Sequence, residues 1–125
     1  MIQTSDDVAR VRVAVRQFAT ALGLGEFKLV RLVTAASELS RNIIDHGVHG
    51  RVTLERAHSG EREGIRLRFE DHGPGIADVK LAMQDGFSSR NSLGLGLGGT
   101  RRLVDEFEIT SKIGQGTVIT VVQWR

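Results

Sequence analysis

The chain has 125 residues, 40% of them hydrophobic, with 17 Lys and Arg against 15 Asp and Glu, four His and no Cys. That length suits one globular domain, expected over residues 1–125, while the missing cysteines exclude a disulfide framework and thiolate metal sites. A net charge of +2 with dispersed arginines and few aromatics gives no basic patch for nucleic acid, and no apolar run nears the roughly 20 residues that span a bilayer.

Val8, Val11, Val15, Phe18 and Leu22 recur at spacings of three and four, which predicts an amphipathic helix. Thr4 or Ser5 is its expected cap, Asp6 and Asp7 fill its first turn, and Gly23 follows it. The N-terminus lacks the basic and apolar regions of a signal peptide, so a soluble, cytoplasmic protein is expected. A second helix is predicted from near Phe27 through Leu29, Val33, Ala36, Leu39 and Ile43, ending before Gly47. It carries Glu38 and Asn42, four residues apart and so on one face.

The period then changes from helical to alternating. Val52 and Leu54, then Ile65, Leu67 and Phe69, sit between polar neighbours and predict two strands joined by a hairpin through His58 to Gly64. Asp71 thus arrives at a strand end. Ala77 to Gln84 is expected to form a short helix, and Asp85 to Leu93 a polar loop. The turn from Gly94 to Gly99 is predicted to enter a helix carrying Leu103, Val104 and Phe107. Two last strands, about Glu108 to Lys112 and Thr117 to Trp124, flank Gly114-Gln115-Gly116. This order favours an α/β (α+β) two-layer sandwich, with helices on one face of a mixed or antiparallel sheet.

Three elements suit a purine nucleotide if they converge. A carboxylate such as Asp71 accepts a hydrogen bond from an exocyclic amine, and Gly73 and Gly75 let the chain pass beneath the base. Gly94, Gly96 and Gly98 present backbone N–H groups to phosphates at the start of a helix. Each alone has a plainer explanation: Gly73-Pro74-Gly75 as a turn, Glu38 and Asn42 as a solvated helix face. Four glycines within Gly94 to Gly99 are harder to explain, since each costs roughly 0.5–1 kcal/mol relative to alanine in ordered structure. No Gly-Lys-Ser/Thr follows them and no strand precedes them, which excludes a Walker A loop and a Rossmann fingerprint. Mg²⁺ is then the expected counter-charge, with Asn42 offering a carbonyl oxygen and Glu38 placed to accept a proton from an attacking hydroxyl. His46 and His49 lack further ligands at suitable spacing and are read as loop residues.

Glu38-x-x-x-Asn42, Asp71-x-Gly73-x-Gly75 and Gly94-x-Gly96-x-Gly98 resemble, in order and spacing, the N, G1 and G2 boxes of the GHKL superfamily of ATP-binding domains. Gly114-Gln115-Gly116-Thr117 is similar to that superfamily's later Gly-Thr element, whose threonine helps hold a water near the adenine. Within it, Met83 to Ser89 and Gly99 to Phe107 look closest to RsbT-type serine/threonine switch kinases. The resemblance spans about residue 5 to Trp124. It implies a Bergerat fold, a mixed and largely antiparallel sheet, ATP with Mg²⁺, and phosphorylation of a Ser or Thr on a STAS-domain partner of a stressosome-like complex. It further implies that release from this complex lets the kinase activate a downstream protein, commonly a phosphatase.

On this resemblance Glu38 is the catalytic base and Asn42 the Mg²⁺ ligand. Asp71, Gly73, Gly75 and Thr117 belong to the adenine end of the site, and Gly94, Gly96 and Gly98 to the phosphates. Arg41 is either a phosphate contact or a surface residue. These 125 residues include no phosphoacceptor-histidine helix pair like that of sensor kinases, so a complete two-component histidine kinase is not expected. The lid is short, and only Phe87 matches the phenylalanine-rich box of some relatives, so modest nucleotide affinity is expected. Two competing functions use the same residues differently: an anti-sigma factor that sequesters a sigma factor and phosphorylates its STAS antagonist, or an inert interaction domain whose glycines only make turns.

Overall fold

The computed structural model describes residues 2–46, 50–74 and 96–125. The expected short helix at Ala77 to Gln84, the loop at Asp85 to Leu93, and Gly47, His49, Gly75, Phe87 and Gly94 all lie outside the described residues.

Helix α1 spans Ser5–Ala21 with Thr4 as its N-cap. The Asp7 carboxylate reaches back so that its Oδ2 accepts the backbone N–H groups of Gln3 at 2.9 Å and Thr4 at 3.0 Å. These otherwise orphaned donors hold the Asp7 carboxyl below the usual carboxylate range, with a smaller contribution from Arg10. Gly23, at φ +81°, reverses the chain after α1, and Leu24 N–H donates to Ala19 O at 3.0 Å. Helix α2 spans Glu26–His46.

Four strands follow among the described residues: β1, Arg51–Ser59, β2, Arg62–Asp71, then β3, Glu106–Lys112, and β4, Gly116–Trp124, in the sheet order β1-β2-β4-β3. Every pairing is antiparallel. The first hairpin is tighter than the sequence reading, with Ser59 opposite Arg62 and Gly60 at φ +62° in the turn. A bridge from Ile2 N–H to Gly50 O, 2.8 Å, ties the N-terminal segment to the chain just before β1.

A short helix, α3, spans Gly96–Arg101, so Gly96 to Gly99, expected in a turn, are already helical. It stops earlier than expected, and this corrects the assignment of Leu103, Val104 and Phe107 to a helix. Arg102 and Leu103 N–H groups donate to the carbonyls three residues back, tightening the chain out of α-helical geometry. Asp105 is then captured by β4: its N–H donates to Gln123 Oε1 and its Oδ2 accepts the Trp124 N–H, both at 2.8 Å. Strand β3 therefore starts at Glu106, and Phe107 packs on the core as a strand residue.

Alternation along the strands gives the sheet one apolar face. Ile65, Leu67 and Phe69 of β2 and Ile119 and Val121 of β4 pack with Val11, Val15 and Ala19 of α1 and Leu29, Leu32, Val33, Ala36, Leu39 and Ile43 of α2. Burying each large side chain is worth about 1.5–3 kcal/mol, so both helices are held on the same face. The result is the two-layer α/β sandwich, with a purely antiparallel sheet among the described strands. No helix among the described residues is long and apolar enough to cross a membrane.

Candidate functional site

Asp71 is the last residue of β2 and shares the helix-facing side of the sheet with Ile65, Leu67 and Phe69, because side chains on a strand alternate. The register places Thr117 opposite Asp71 and Ser111 opposite Thr117, so three polar residues form one row across β2, β4 and β3 where the apolar core ends. Ser111 Oγ and Thr117 Oγ1 share a hydrogen bond of 2.8 Å, and Thr117 is buried. The Asp71 carboxylate is half-buried, and its Oδ1 accepts the N–H of Gly73 at 2.8 Å. This bond fixes the side chain and folds the start of the glycine-proline turn back on it.

The β3–β4 turn closes against the same segment. Gly114 N–H donates to Pro74 O at 2.8 Å. Gly116 sits at φ +115°, and a Cβ there would lie 2.0 Å from Asp71 O, so backbone meets backbone at a distance only glycine permits. Glycine at 116 is thus a condition for Asp71 and Thr117 to stand side by side.

Glu38 and Asn42 lie half-buried on α2, one turn apart. Helix α2 packs on both β2 and α3, the elements that carry Asp71 and the glycine turn. Gly96, at φ +71°, begins α3, and Gly98 is buried within it. Helix α2, bearing Glu38 and Asn42, is thus packed against the strand that ends in Asp71 and the helix that holds Gly96 and Gly98, while Thr117 is brought to Asp71 by the β2–β4 pairing. His58 on β1 is exposed, and so is His72, which follows Asp71 directly and whose backbone lies against Gly116. Arg41 is exposed on α2.

Two residues that sequence reasoning did not single out hold this arrangement. Thr100, almost fully buried, donates its Oγ1 hydrogen to Gly96 O at 2.8 Å, bracing the turn at the start of α3. Arg31 donates from Nε to Leu103 O at 3.3 Å and from Nη2 to Arg102 O, so one guanidinium on α2 caps the chain leaving α3. The one available signal for Arg31 was its spacing, two helical turns before Glu38 on the same side of α2. Among the described residues no cluster of three His, Cys, Asp or Glu could hold a metal ion by itself.

The pattern of the family described as histidine kinase-like ATPase domain matches residues 2–123. The chain belongs to that family. The ATPase domain is 40% identical over 123 residues to "Serine/threonine-protein kinase RsbT" of Bacillus subtilis (strain 168), covering 98% of this chain and 92% of that protein. It is 30% identical over 129 residues to an "Anti-sigma F factor" of Thermoanaerobacter sp. (strain X514), covering 98% of this chain and 89% of the other. Among solved structures it superposes on "Mycobacterial sensor histidine kinase MprB" with a TM-score of 0.58 at 22% identity, covering 77% of this chain and 71% of that one. That superposition is a likeness of fold. The ATPase domain thus has the fold and family of ATP-using kinases.

Proposed function

We propose that this chain is an ATP-dependent serine/threonine protein kinase of the cytoplasm, which phosphorylates a STAS-domain protein and, once released from it, engages a downstream partner such as a phosphatase. The observation that carries this reading is the packing of one helix, bearing Glu38 and Asn42, on both the strand ending in Asp71 and the helix beginning at Gly96. Near-full-length similarity to a serine/threonine-protein kinase supports it.

In this reading Asp71 accepts the adenine amino hydrogen, Thr117 stands beside it to hold a water, and Gly73 and Gly75 leave room for the base. The N–H groups around Gly94, Gly96 and Gly98 take the phosphate oxygens. The acceptor hydroxyl of the substrate attacks the γ-phosphorus as the bond to the β,γ-bridging oxygen breaks, ADP leaves, and the hydroxyl proton passes to the Glu38 carboxylate. Positioning and charge placement supply most of the rate, since the transition state of phosphoryl transfer is loose. The donor set fits Mg²⁺: a hard cation that keeps several waters is satisfied by the Asn42 amide oxygen plus phosphate oxygens, without a protein carboxylate cluster. When bound, Mg²⁺ would neutralise the developing phosphate charge.

The deciding experiment incubates the protein with labelled ATP, Mg²⁺ and candidate STAS-domain proteins. Label on a Ser or Thr of one of them is expected, and none on any candidate overturns the kinase reading. The similarity to anti-sigma F factors favours a second reading, a nucleotide-regulated anti-sigma factor that sequesters a sigma factor and phosphorylates its STAS antagonist. Pull-down of the released protein separates the two, since the first recovers a phosphatase or similar regulator and the second a sigma factor.

A further inference from the structure

Phe27 and Val30 leave 76% and 46% of their surface exposed, within one turn of each other at the start of α2. Single exposed apolar residues need no explanation, but these two are aligned with the chemistry. At 3.6 residues per turn, Phe27, Val30, Thr34, Glu38 and Arg41 fall on one side of α2, opposite the buried stripe of Leu32, Ala36, Leu39 and Ile43. Phe27 and Glu38 are about 17 Å apart along the helix at 1.5 Å per residue, well within the footprint of one protein interface. Phe27 is also held: the Arg31 guanidinium lies 5.4 Å from its ring centroid while bonding the carbonyls of Arg102 and Leu103. A large aromatic anchored by a residue that braces the site is what a docking hot spot requires.

We propose that the acceptor protein docks along this exposed face of α2, with Phe27 and Val30 as apolar anchors that bring its hydroxyl to Glu38. This rests on the kinase reading above. The commitment to the substrate as occupant follows from continuity: whatever protein presents a hydroxyl to Glu38 must cover the adjoining surface of the same helix.

The test is steady-state phosphorylation, with labelled ATP, of the STAS-domain protein found to accept phosphate, using wild type, Phe27→Ser, Val30→Ser and the conservative Phe27→Leu. Docking predicts a KM for the acceptor raised about tenfold or more in the serine variants, kcat and KM for ATP within about twofold, and substantial recovery in Phe27→Leu. An unchanged acceptor KM overturns the docking assignment and leaves the kinase reading standing. Failure of the wild type to transfer phosphate to any candidate overturns both. If sedimentation shows that the serine variants dissociate a wild-type dimer while acceptor KM stays constant, the patch belongs to a second copy and the assignment is likewise overturned.

Discussion

Asp71 and Thr117 face each other across the β2–β4 ladder, and the residue before Thr117 must be glycine for them to do so. Thr117 is fixed from its other side by Ser111 at 2.8 Å, and Asp71 by the N–H of Gly73 at 2.8 Å. Both residues at this end of the sheet are therefore held by hydrogen bonds at the edge of the core.

Asp71→Asn is expected to keep the fold, because the amide oxygen can still accept the Gly73 N–H. It replaces an acceptor with a group that also presents donors to the adenine amine. Losing a charge-assisted hydrogen bond of about 1.5–3 kcal/mol weakens ATP binding roughly ten- to hundredfold. Titration calorimetry reads this directly, and an unaltered Kd removes Asp71 from the adenine role.

Glu38→Ala separates binding from chemistry. A general base typically contributes about 10²–10⁴ in rate, so kcat for protein phosphorylation is expected to fall by that factor while ATP affinity stays within about twofold. Transfer at the wild-type rate in a single-turnover assay means that Glu38 is not the base.

Gly116→Ala tests the close approach beside Asp71. The alanine methyl would meet Asp71 O at 2.0 Å in a backbone conformation of φ +115°, and relieving this contact must displace either strand end. A loss of about 1–3 kcal/mol in chemical denaturation is expected, together with weaker ATP binding. Gly60→Ala shares the positive φ, with open space around its Cβ. It should cost stability without touching nucleotide affinity, and equal effects of the two on ATP binding contradict the role given to Gly116.

Asp7→Asn has a pH signature. The Gln3 and Thr4 N–H groups lower the Asp7 pKa from 3.8 in the folded state, so the unfolded chain binds a proton more readily. The stabilisation is complete above the unfolded value and is lost as pH falls through the lower folded one. Wild type should therefore melt at a higher temperature than Asp7→Asn at neutral pH, with the gap closing in strong acid. A gap independent of pH in thermal scans contradicts the charge-based cap.

Much of the architecture was legible in the chain. The three- and four-residue spacing from Val8 to Leu22 and from Leu29 to Ile43 set the two long helices. Alternation through Ile65, Leu67 and Phe69 set the strand that delivers Asp71. Residue types and spacing also singled out Glu38, Asn42 and the glycine turns, because local patterns record which face of an element is apolar and where the backbone needs freedom. What the tertiary structure alone decided is pairing between distant segments. Phe107 reads as a helical neighbour of Val104, yet Asp105, tied to Gln123 and Trp124, turns it into a strand residue. The row of Asp71, Thr117 and Ser111, the steric demand for glycine at 116, and the clasp of Arg31 on the chain leaving α3 have no local signature. Each depends on register and packing between stretches far apart in sequence, set by burial of the shared core.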